Sequence, residues 1–340
     1  MKGRQIILDQ INGREAAALM VDGQLDDLLV EGDAPRPGTI YRAVADRPVK
    51  GQGGMFLKTP DGNVFLRQVK GLAPGDVMLV QVTGYAEPGK AIPVTQKVLF
   101  KSRYVIVTPD APGINVSRSI HEEDERDRIL EVAHEVSREE GVGLILRSAC
   151  EGADRDEIAE DIANMLDLAE QVLADAEGAA EKLLDGDGPH LAAWRDWSEP
   201  AEVVTEAGSF DTHGVLDALE DAQGSRVSLE SGVSLFVEPT RALVAVDVNT
   251  GGDTSPAAGT KANFAAARAL PRALRVRGLG GQVVLDLAPM PKKDRRGFES
   301  ALRSAFKRDP IDTTLVGWTP LGHFELQRKK ARQELREVLK

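Results

Sequence analysis

Two short apolar runs of this sequence each carry an acidic residue near their end. Residues 242–249 alternate like a β-strand, which places Asp247 and Asn249 on one face, about 7 Å apart. Asp286 interrupts a second apolar run, residues 283–287. Strands this apolar are normally buried on both faces, and a buried carboxylate is costly unless it is paired, coordinated or protonated. Such oxygen ligands suit magnesium or manganese, and magnesium needs only one or two carboxylates besides water and phosphate oxygens.

Each acid also has a structural interpretation. Asp247 could cap the turn at residues 250–252, and Asp286 could pair with a neighbouring arginine. Either acid alone favours that interpretation, whereas the pair, with Asn249 beside it, favours a metal site. Zinc is not expected, because no histidine lies near these acids in the sequence and Cys150 is the only cysteine.

Basic residues follow the second acid closely. Four cations within five residues, beside a metal site, would attract a phosphodiester. A second basic cluster lies near the C-terminus, where the alternative is an ordinary solvated helix. The predicted RNA contacts in this part of the chain are Lys292, Lys293, Arg295, Arg296 and Arg328.

The net charge of the 340-residue chain is -12, which by itself argues against a polyanion partner. The charge is unevenly distributed, however, since residues 121–220 carry -22 and residues 261–340 carry +10. An acidic middle is typical of solvated helices, and the basic region favours nucleic-acid contact. No apolar run approaches the roughly 20 residues of a membrane-spanning helix. The single cysteine favours a reducing compartment, and we expect a cytoplasmic location.

Five short strand-like runs lie between residues 38 and 100, with no helix among them. They are residues 39–44, 54–58, 64–66, 77–85 and 91–100. This pattern suits a small antiparallel barrel, of which the OB-fold is the commonest five-stranded version. Such barrels bind single strands by stacking bases on exposed aromatic rings beside cations. The candidate aromatic contacts are Tyr41, Phe56, Phe65 and Tyr85, with Lys90 among the nearby cations, although aromatic residues in strands often belong to a core.

The N-terminal half contains further recognisable elements. Asn12 and Gly13 between two apolar runs predict a hairpin. Helical periodicity covers parts of residues 121–180, and residues 141–147 read as a short buried strand between two helices.

The C-terminal half reads as a hairpin followed by alternating helices and strands. The hairpin is predicted across residues 233–248. Helices are predicted at residues 261–277 and 298–306, with Pro271 expected to start or kink the first. From Phe324 onward the sequence predicts a basic helix.

These motifs together resemble the catalytic domain of the bacterial ribonuclease E/G family. The resemblance is carried by residues 242–251, followed about 30 residues later by residues 278–287. Other stretches resemble further parts of that family: residues 117–120 and 141–149 its 5′-end sensor, residues 232–243 its entry hairpin, and residues 322–328 its closing helix.

The resemblance implies a multidomain α/β fold. An RNase H-like part would carry an inserted OB-fold barrel and a 5′-sensor region, and a DNase I-like catalytic domain would follow. The implied boundaries are 1–36 and 181–225 for the RNase H-like part, 37–103 for the RNA-binding barrel, 104–180 for the sensor-like region and 226–340 for the catalytic domain.

The resemblance also implies an activity. The protein would be a magnesium-dependent endoribonuclease, with manganese as a substitute, acting in RNA processing or decay. It would hydrolyse single-stranded, A/U-rich RNA to 5′-phosphate and 3′-hydroxyl ends. Asp247 and Asp286 would hold the metal, and Asn249 would orient the phosphate or a ligand water. Arg147 and Ser148 would contact a 5′-monophosphate.

The chain also departs from the family. It ends at Lys340, before the Cys-Pro-x-Cys element and small domain that usually follow, so a zinc-linked dimer is not expected and the oligomeric state stays open. Pro289 stands where the family often has another aspartate, and Asp312 where it often has a basic residue. The alternative function is an RNA-binding protein of the same fold with weak or no cleavage.

Overall fold

The structure is a computed structural model that describes residues 3–49, 53–68, 71–87, 89–137 and 141–340. The chain forms two compact units. One, here called the discontinuous unit, combines Met1–Gly32 with Ala201–Lys340, and the other, the inserted unit, is Asp33–Pro200. The finer division into four parts remains a prediction. Within the described ranges, no helix is long and apolar enough to cross a membrane.

The secondary structure consists mainly of short strands. The strands are β1 (Arg4–Ile11), β2 (Arg14–Val21), β3 (Gln24–Val30), β4 (Ile40–Val49), β5 (Gly54–Thr59), β6 (Gly62–Leu66), β7 (Val77–Val82), β8 (Ile92–Thr95), β9 (Phe100–Lys101), β10 (Val105–Thr108), β11 (Gly113–Val116), β12 (Gly143–Leu146), β13 (Glu181–Leu184), β14 (Glu202–Val204), β15 (Arg226–Ser228), β16 (Ser234–Pro239), β17 (Val244–Asn249), β18 (Gly281–Asp286), β19 (Thr313–Trp318) and β20 (Phe324–Arg328). The α-helices are α1 (Glu123–Val136), α2 (Arg155–Ala174), α3 (Pro189–Asp196), α4 (Ser209–Thr212), α5 (Val215–Gln223), α6 (Ala258–Val276), α7 (Arg295–Lys307) and α8 (Leu335–Val338).

The discontinuous unit begins with a four-stranded sheet in the order β14-β1-β2-β3. β1 and β2 pair antiparallel around the predicted turn, where Asn12 and Gly13 have φ angles of 54° and 76°. Two consecutive positive φ angles are what a type I′ hairpin turn requires, so the hairpin prediction is confirmed. Phe210, Val215 and Leu219 from α4 and α5 belong to the same hydrophobic core as β1 and β2.

A six-stranded sheet in the same unit carries the predicted acids. Its order is β15-β16-β17-β18-β20-β19. β17 and β18 are parallel and are connected by α6, and the other neighbours are antiparallel. Helices α6 and α7 cover one face, where they form a common core with the inward-facing residues of the sheet. Pro271 does not end α6, which continues through it to Val276.

The inserted unit contains the predicted barrel. Its sheet has the order β13-β4-β5-β6-β8-β7, and a further pairing of β4 with β7 closes it. β4 to β8 correspond to the five predicted strands, and the OB-like barrel is confirmed. Its interior is apolar, with Leu57, Val64 and Val80 fully buried.

The rest of the inserted unit includes residues 104–180, for which a sensor-like region is predicted. Four short strands have the order β11-β12-β10-β9, and helices α1 and α2 share a core with them. β12 is the predicted buried strand, and its Leu144 and Leu146 lie inside that core.

The prediction of a helix from Phe324 onward is wrong. Residues 324–328 form strand β20, which lies between β18 and β19, and only the four-residue α8 follows. Phe324, Leu326 and Arg328 are buried at every second position, which is the period of a strand. Pairing with both neighbours overrides the helix propensity of this stretch.

Candidate active site and RNA-binding surfaces

The parallel pairing of β17 and β18 places the two predicted acids side by side. Asp247 is the register partner of Asp286, and neighbouring strands lie roughly 4.8 Å apart. Both side chains emerge on the face opposite the α6 and α7 core, because Val246 and Leu285 on the alternate positions are buried in it. The predicted proximity is therefore confirmed in register.

The expected burial of these acids on both faces of the sheet is wrong. Asp247 and Asp286 are exposed, and the side chain of Asp286 has 68% of its surface accessible. The helices cover only one face, so the carboxylates keep their hydration and no burial cost needs to be offset. The convergence of the two carboxylates, and not their burial, therefore favours a metal site.

Two further polar side chains contact the acids. Asn249 Nδ2 donates to Asp247 Oδ2 at 2.6 Å, which agrees with the predicted shared face. His323 Nδ1 lies 3.3 Å from Asp286 Oδ1. Sequence reasoning missed His323, because it is distant in sequence and reaches Asp286 only through the pairing of β20 with β18. Among the described residues, neither acid pairs with an arginine.

Residues of helix α6 hold the loop after Asp286 in place. The buried Asn263 donates from Nδ2 to the Ala288 carbonyl at 2.8 Å and accepts from the Ala288 amide at 3.0 Å. Gly259 packs so tightly that an added Cβ would lie 2.0 Å from the Pro289 carbonyl oxygen. The segment that carries Asp286 into the site therefore has little freedom to shift.

The donor set fits a hard divalent cation. Asp247 and Asp286 offer two carboxylates, and Asn249 adds an amide oxygen beside them. Magnesium is commonly held by one or two carboxylates, with water and phosphate oxygens completing the octahedron. In the described ranges, no cluster of three or more His, Cys, Asp or Glu side chains gathers around a common point.

Of the four predicted cations after Asp286, three are exposed to solvent and one packs against an aromatic ring. Lys292, Lys293 and Arg296 are exposed. The Arg295 guanidinium stacks on the Trp318 ring at 4.3 Å, which leaves its edge available as a hydrogen-bond donor.

The prediction that Arg328 contacts RNA is wrong. Its side chain is fully buried beneath the sheet and donates to Asp309 and to Thr313 Oγ1. The alternation of β20 turns Arg328 inward, so its charge serves a buried ion network.

The barrel presents an aromatic pair on its outer side. Phe56 and Phe65 are register partners on β5 and β6, and their ring centroids lie 5.3 Å apart. Both rings are half-buried, while Leu57 and Val64 at alternate positions fill the interior. The Arg47 guanidinium lies 5.2 Å from the centroid of Phe56. The alternative that these two rings belong to the barrel core is therefore not supported.

Lys90, the predicted cationic contact of the barrel, is an exposed side chain. Its ammonium group forms an ion pair with Glu87, three residues earlier. An exposed pair of this kind contributes little to stability, so the lysine can exchange its partner at small cost.

The predicted sensor residues differ in their surroundings. The Arg147 guanidinium donates to the carbonyls of Ser102 and Arg195 and to Asp196, and burial lowers its pKa. Ser148 is exposed at the start of a 3₁₀ turn, Ser148–Cys150. Arg147 thus organises the local backbone, and its predicted contact with a 5′-phosphate remains a prediction.

Known proteins resemble this chain over almost its whole length. The model of the Ribonuclease E/G family matches residues 100–201 and 196–331. Ribonuclease G of Salmonella typhimurium (strain SL1344) is 30% identical, over 98% of this chain and 81% of the relative. Ribonuclease G of Escherichia coli (strain K12) is 29% identical with the same coverage. Ribonuclease E of Synechocystis sp. is 28% identical, over 98% of this chain and 58% of the relative. The chain therefore belongs to the ribonuclease E/G family.

Proposed function

We propose that this protein is a magnesium-dependent endoribonuclease that hydrolyses single-stranded, A/U-rich RNA to 5′-phosphate and 3′-hydroxyl ends. Its family membership makes it an endoribonuclease, and thus a hydrolase. The observation that carries the metal dependence is the register pairing of Asp247 with Asp286, beside Asn249. We place the activity in cytoplasmic RNA processing or decay.

The chemistry divides among a few side chains. Asp247 and Asp286 would hold magnesium or manganese, which polarises a phosphoryl oxygen and makes water a better nucleophile. A water oxygen would attack phosphorus and lose a proton, the bond from phosphorus to the 3′ oxygen would break, and a proton from water would convert that oxygen to the 3′-hydroxyl. The Asn249 amide would orient the phosphate, and His323 would help to orient Asp286.

The test is a cleavage assay on single-stranded A/U-rich RNA labelled at its 5′ end. We expect cleavage with magnesium and none with excess EDTA, and new 5′ ends that a 5′-phosphate-dependent exonuclease degrades. Equal cleavage in EDTA, or products with 5′-hydroxyl ends, would contradict the proposal. Binding without any cleavage by the native protein would favour the alternative, an RNA-binding protein of the same fold.

The packing of Gly259 against Pro289 predicts a remote effect on catalysis. In Gly259→Ala the new methyl group would overlap the Pro289 carbonyl, so the loop after Asp286 must move. Because small misplacements cost much of the rate, we expect kcat to fall roughly tenfold to a hundredfold. Gly252→Ala is the matched control, since a Cβ there meets nothing within 4 Å. Equal kcat values for the two variants would refute the positioning role.

The aromatic pair on the barrel predicts a loss of RNA affinity. Stacking of a base on an aromatic side chain is worth roughly 1–3 kcal/mol, so we expect Phe56→Ala and Phe65→Ala each to weaken binding about tenfold. Fluorescence anisotropy with labelled RNA in EDTA measures this without cleavage. Leu99→Ala removes another exposed apolar side chain, 42% accessible, and is expected to bind normally. Unchanged affinity in both phenylalanine variants would exclude the stacking role.

The exposed hydroxyl of Ser148 predicts an effect on 5′-end preference. A hydrogen bond to a charged phosphate contributes roughly 1.5 kcal/mol, so Ser148→Ala should reduce the preference for 5′-monophosphate over 5′-triphosphate RNA about tenfold. Competition between two differently labelled substrates measures the ratio directly. If the native protein cuts both RNAs equally fast, residues 147–148 are not a sensor.

A further inference from the structure

A basic cleft of about 500 Å³ lies between helices α6 and α7 of the discontinuous unit. Its lining includes none of the residues of the candidate active site. The charged side chains that line it are Arg268, Arg272, Arg275, Arg308, Asp26 and Asp309. Four arginines against two aspartates leave a surplus of positive charge around an open volume.

Arg275 forms ion pairs with both aspartates of the cleft. Arg275 Nη2 lies 2.9 Å from Asp26 Oδ2, and its Nη1 lies 2.5 Å from Asp309 Oδ1. The second oxygen of Asp309 accepts from the buried Arg328. The buried Asp27 also lies beside Arg275 and Arg332, so Asp26, Asp27 and Asp309 balance the charges of Arg275, Arg328 and Arg332.

Within the described part of the chain, no carboxylate forms an ion pair with the other three arginines, although Asp26 also acts electrostatically on Arg272. Arg272 donates to the neutral Oε1 of Gln24 at 2.6 Å. Arg268 and Arg308 are exposed, and their side chains form no hydrogen bond or ion pair with the described part of the chain. Three guanidinium groups thus border the cleft, and each has N–H donors available for a ligand.

This arrangement costs the free protein stability. Arg268 and Arg272 are four residues apart on α6, so two like charges are neighbours on one helix face. Opposite them, α7 presents the small side chains of Ala301 and Ala305, which leave the cleft open. An anion in that space would relieve the repulsion.

Helix dipoles do not account for the cluster. Cations are favoured near helix C-termini, and Arg308 directly follows the last residue of α7. Arg268 and Arg272, however, lie within α6, where that effect has faded. A ligand explains all three positions.

We propose that this cleft binds phosphodiester groups of the RNA strand, as a second backbone site apart from the carboxylate pair. The guanidinium fork suits phosphate oxygens. Helix α6 starts at the active site, where Gly259 contacts Pro289, and Arg268 lies nine residues farther on, about 14 Å along the axis. The inference rests on RNA being the ligand in the proposed function.

The first test measures the salt dependence of RNA binding in EDTA, which does not require an active metal site. Each phosphate contact to a single strand contributes roughly 0.7 to the slope of log affinity against log salt. We expect the double variant Arg268→Gln/Arg308→Gln to lower that slope by about 1.4 and to weaken binding of a long RNA roughly tenfold. Arg303→Gln/Lys307→Gln removes two exposed charges of α7 outside the cleft, and its slope should stay near native.

The second test compares two substrates with one cleavage site, one short and one extended on either side. The cleft variant should lower the ratio of kcat/KM for the extended over the short RNA, and Ser304→Glu, which adds a negative charge to the cleft, should do the same. Equal slopes and equal ratios for cleft and control variants would overturn the proposal. Loss of cleavage on both RNAs with a native salt slope would instead implicate the active site.

A free polyphosphate is the other source of the same chemistry. Calorimetry with inorganic tripolyphosphate and with a nucleoside triphosphate distinguishes it from an RNA strand. We expect neither to bind at micromolar concentration. Micromolar binding that Arg268→Gln/Arg308→Gln abolishes, with an unchanged RNA slope, would overturn the assignment to RNA.

Discussion

Asp247→Asn and Asp286→Asn should each reduce RNA cleavage by more than roughly a hundredfold while RNA binding persists. Asparagine keeps the shape of the side chain but removes the charge that a hard cation requires. Loss of a residue that only hydrogen-bonds to a metal ligand typically lowers metal affinity or activity roughly 10–100-fold. Loss of a direct ligand should therefore lower the cleavage rate by at least about 100-fold. Initial rates on labelled single-stranded RNA, at several magnesium concentrations, measure the effect.

The control for these variants is Glu238→Gln. Glu238 is exposed on β16 of the same sheet, so its change removes one carboxylate without touching the pair. We expect it to retain native rates. Manganese binding followed by electron paramagnetic resonance adds a readout apart from activity, and both aspartate variants should bind manganese more weakly. Native rates in both variants would rule out the metal assignment.

Arg328→Met should strongly destabilise the six-stranded sheet. The buried Arg328 shares Asp309 with Arg275, and both Arg328 and Asp309 have fully inaccessible side chains. Removing one partner leaves a buried carboxylate incompletely compensated, which typically costs 3–5 kcal/mol. Because Arg275 remains, we expect a loss of about 3 kcal/mol in the free energy of unfolding. Urea titration, followed by hydrogen exchange of the β18 and β20 amides, reports on this sheet.

Two comparison variants separate charge from packing. Lys329→Met removes the neighbouring charge, which is exposed, and should change stability by less than about 0.5 kcal/mol. Arg328→Met/Asp309→Leu removes both buried charges, and replacing a buried pair by apolar residues is often nearly neutral. It should therefore be more stable than Arg328→Met alone. If Arg328→Met unfolds at the same urea concentration as the native protein, the ion network does not stabilise this sheet.

Local alternation was enough to predict the geometry of the acids. Asp247 and Asn249 share a face because a strand has period two, and the structure shows them hydrogen-bonded. The burial of those acids could not be predicted the same way, since Ala245 and Val284 are apolar yet lie on the open face. Which face receives helices depends on how the whole chain is connected.

The errors all depend on contacts between distant residues. Residues 324–328 have helix-forming composition, although their apolar and polar residues alternate with the period of a strand, and pairing with β18 and β19 fixes them as one. That pairing also brings His323 to Asp286 and turns Arg328 inward. The alternation is a local pattern, whereas the two contacts depend on which strands pair.

The buried ion network of Arg275, Arg328 and Asp309 extends to Asp27 of β3, which lies beside Arg275 and Arg332, and this has a consequence for how the chain is synthesised. Arg332 donates to Asp27, which was synthesised 305 residues earlier. Ribosomes add roughly 5–20 residues per second, so this contact must wait about 15–60 s after Asp27 emerges. During that interval the inserted unit, whose residues are contiguous, can complete its fold. The apolar face of β1–β3 therefore stays uncovered at least until the residues of α4 and α5, which share its core, have been synthesised.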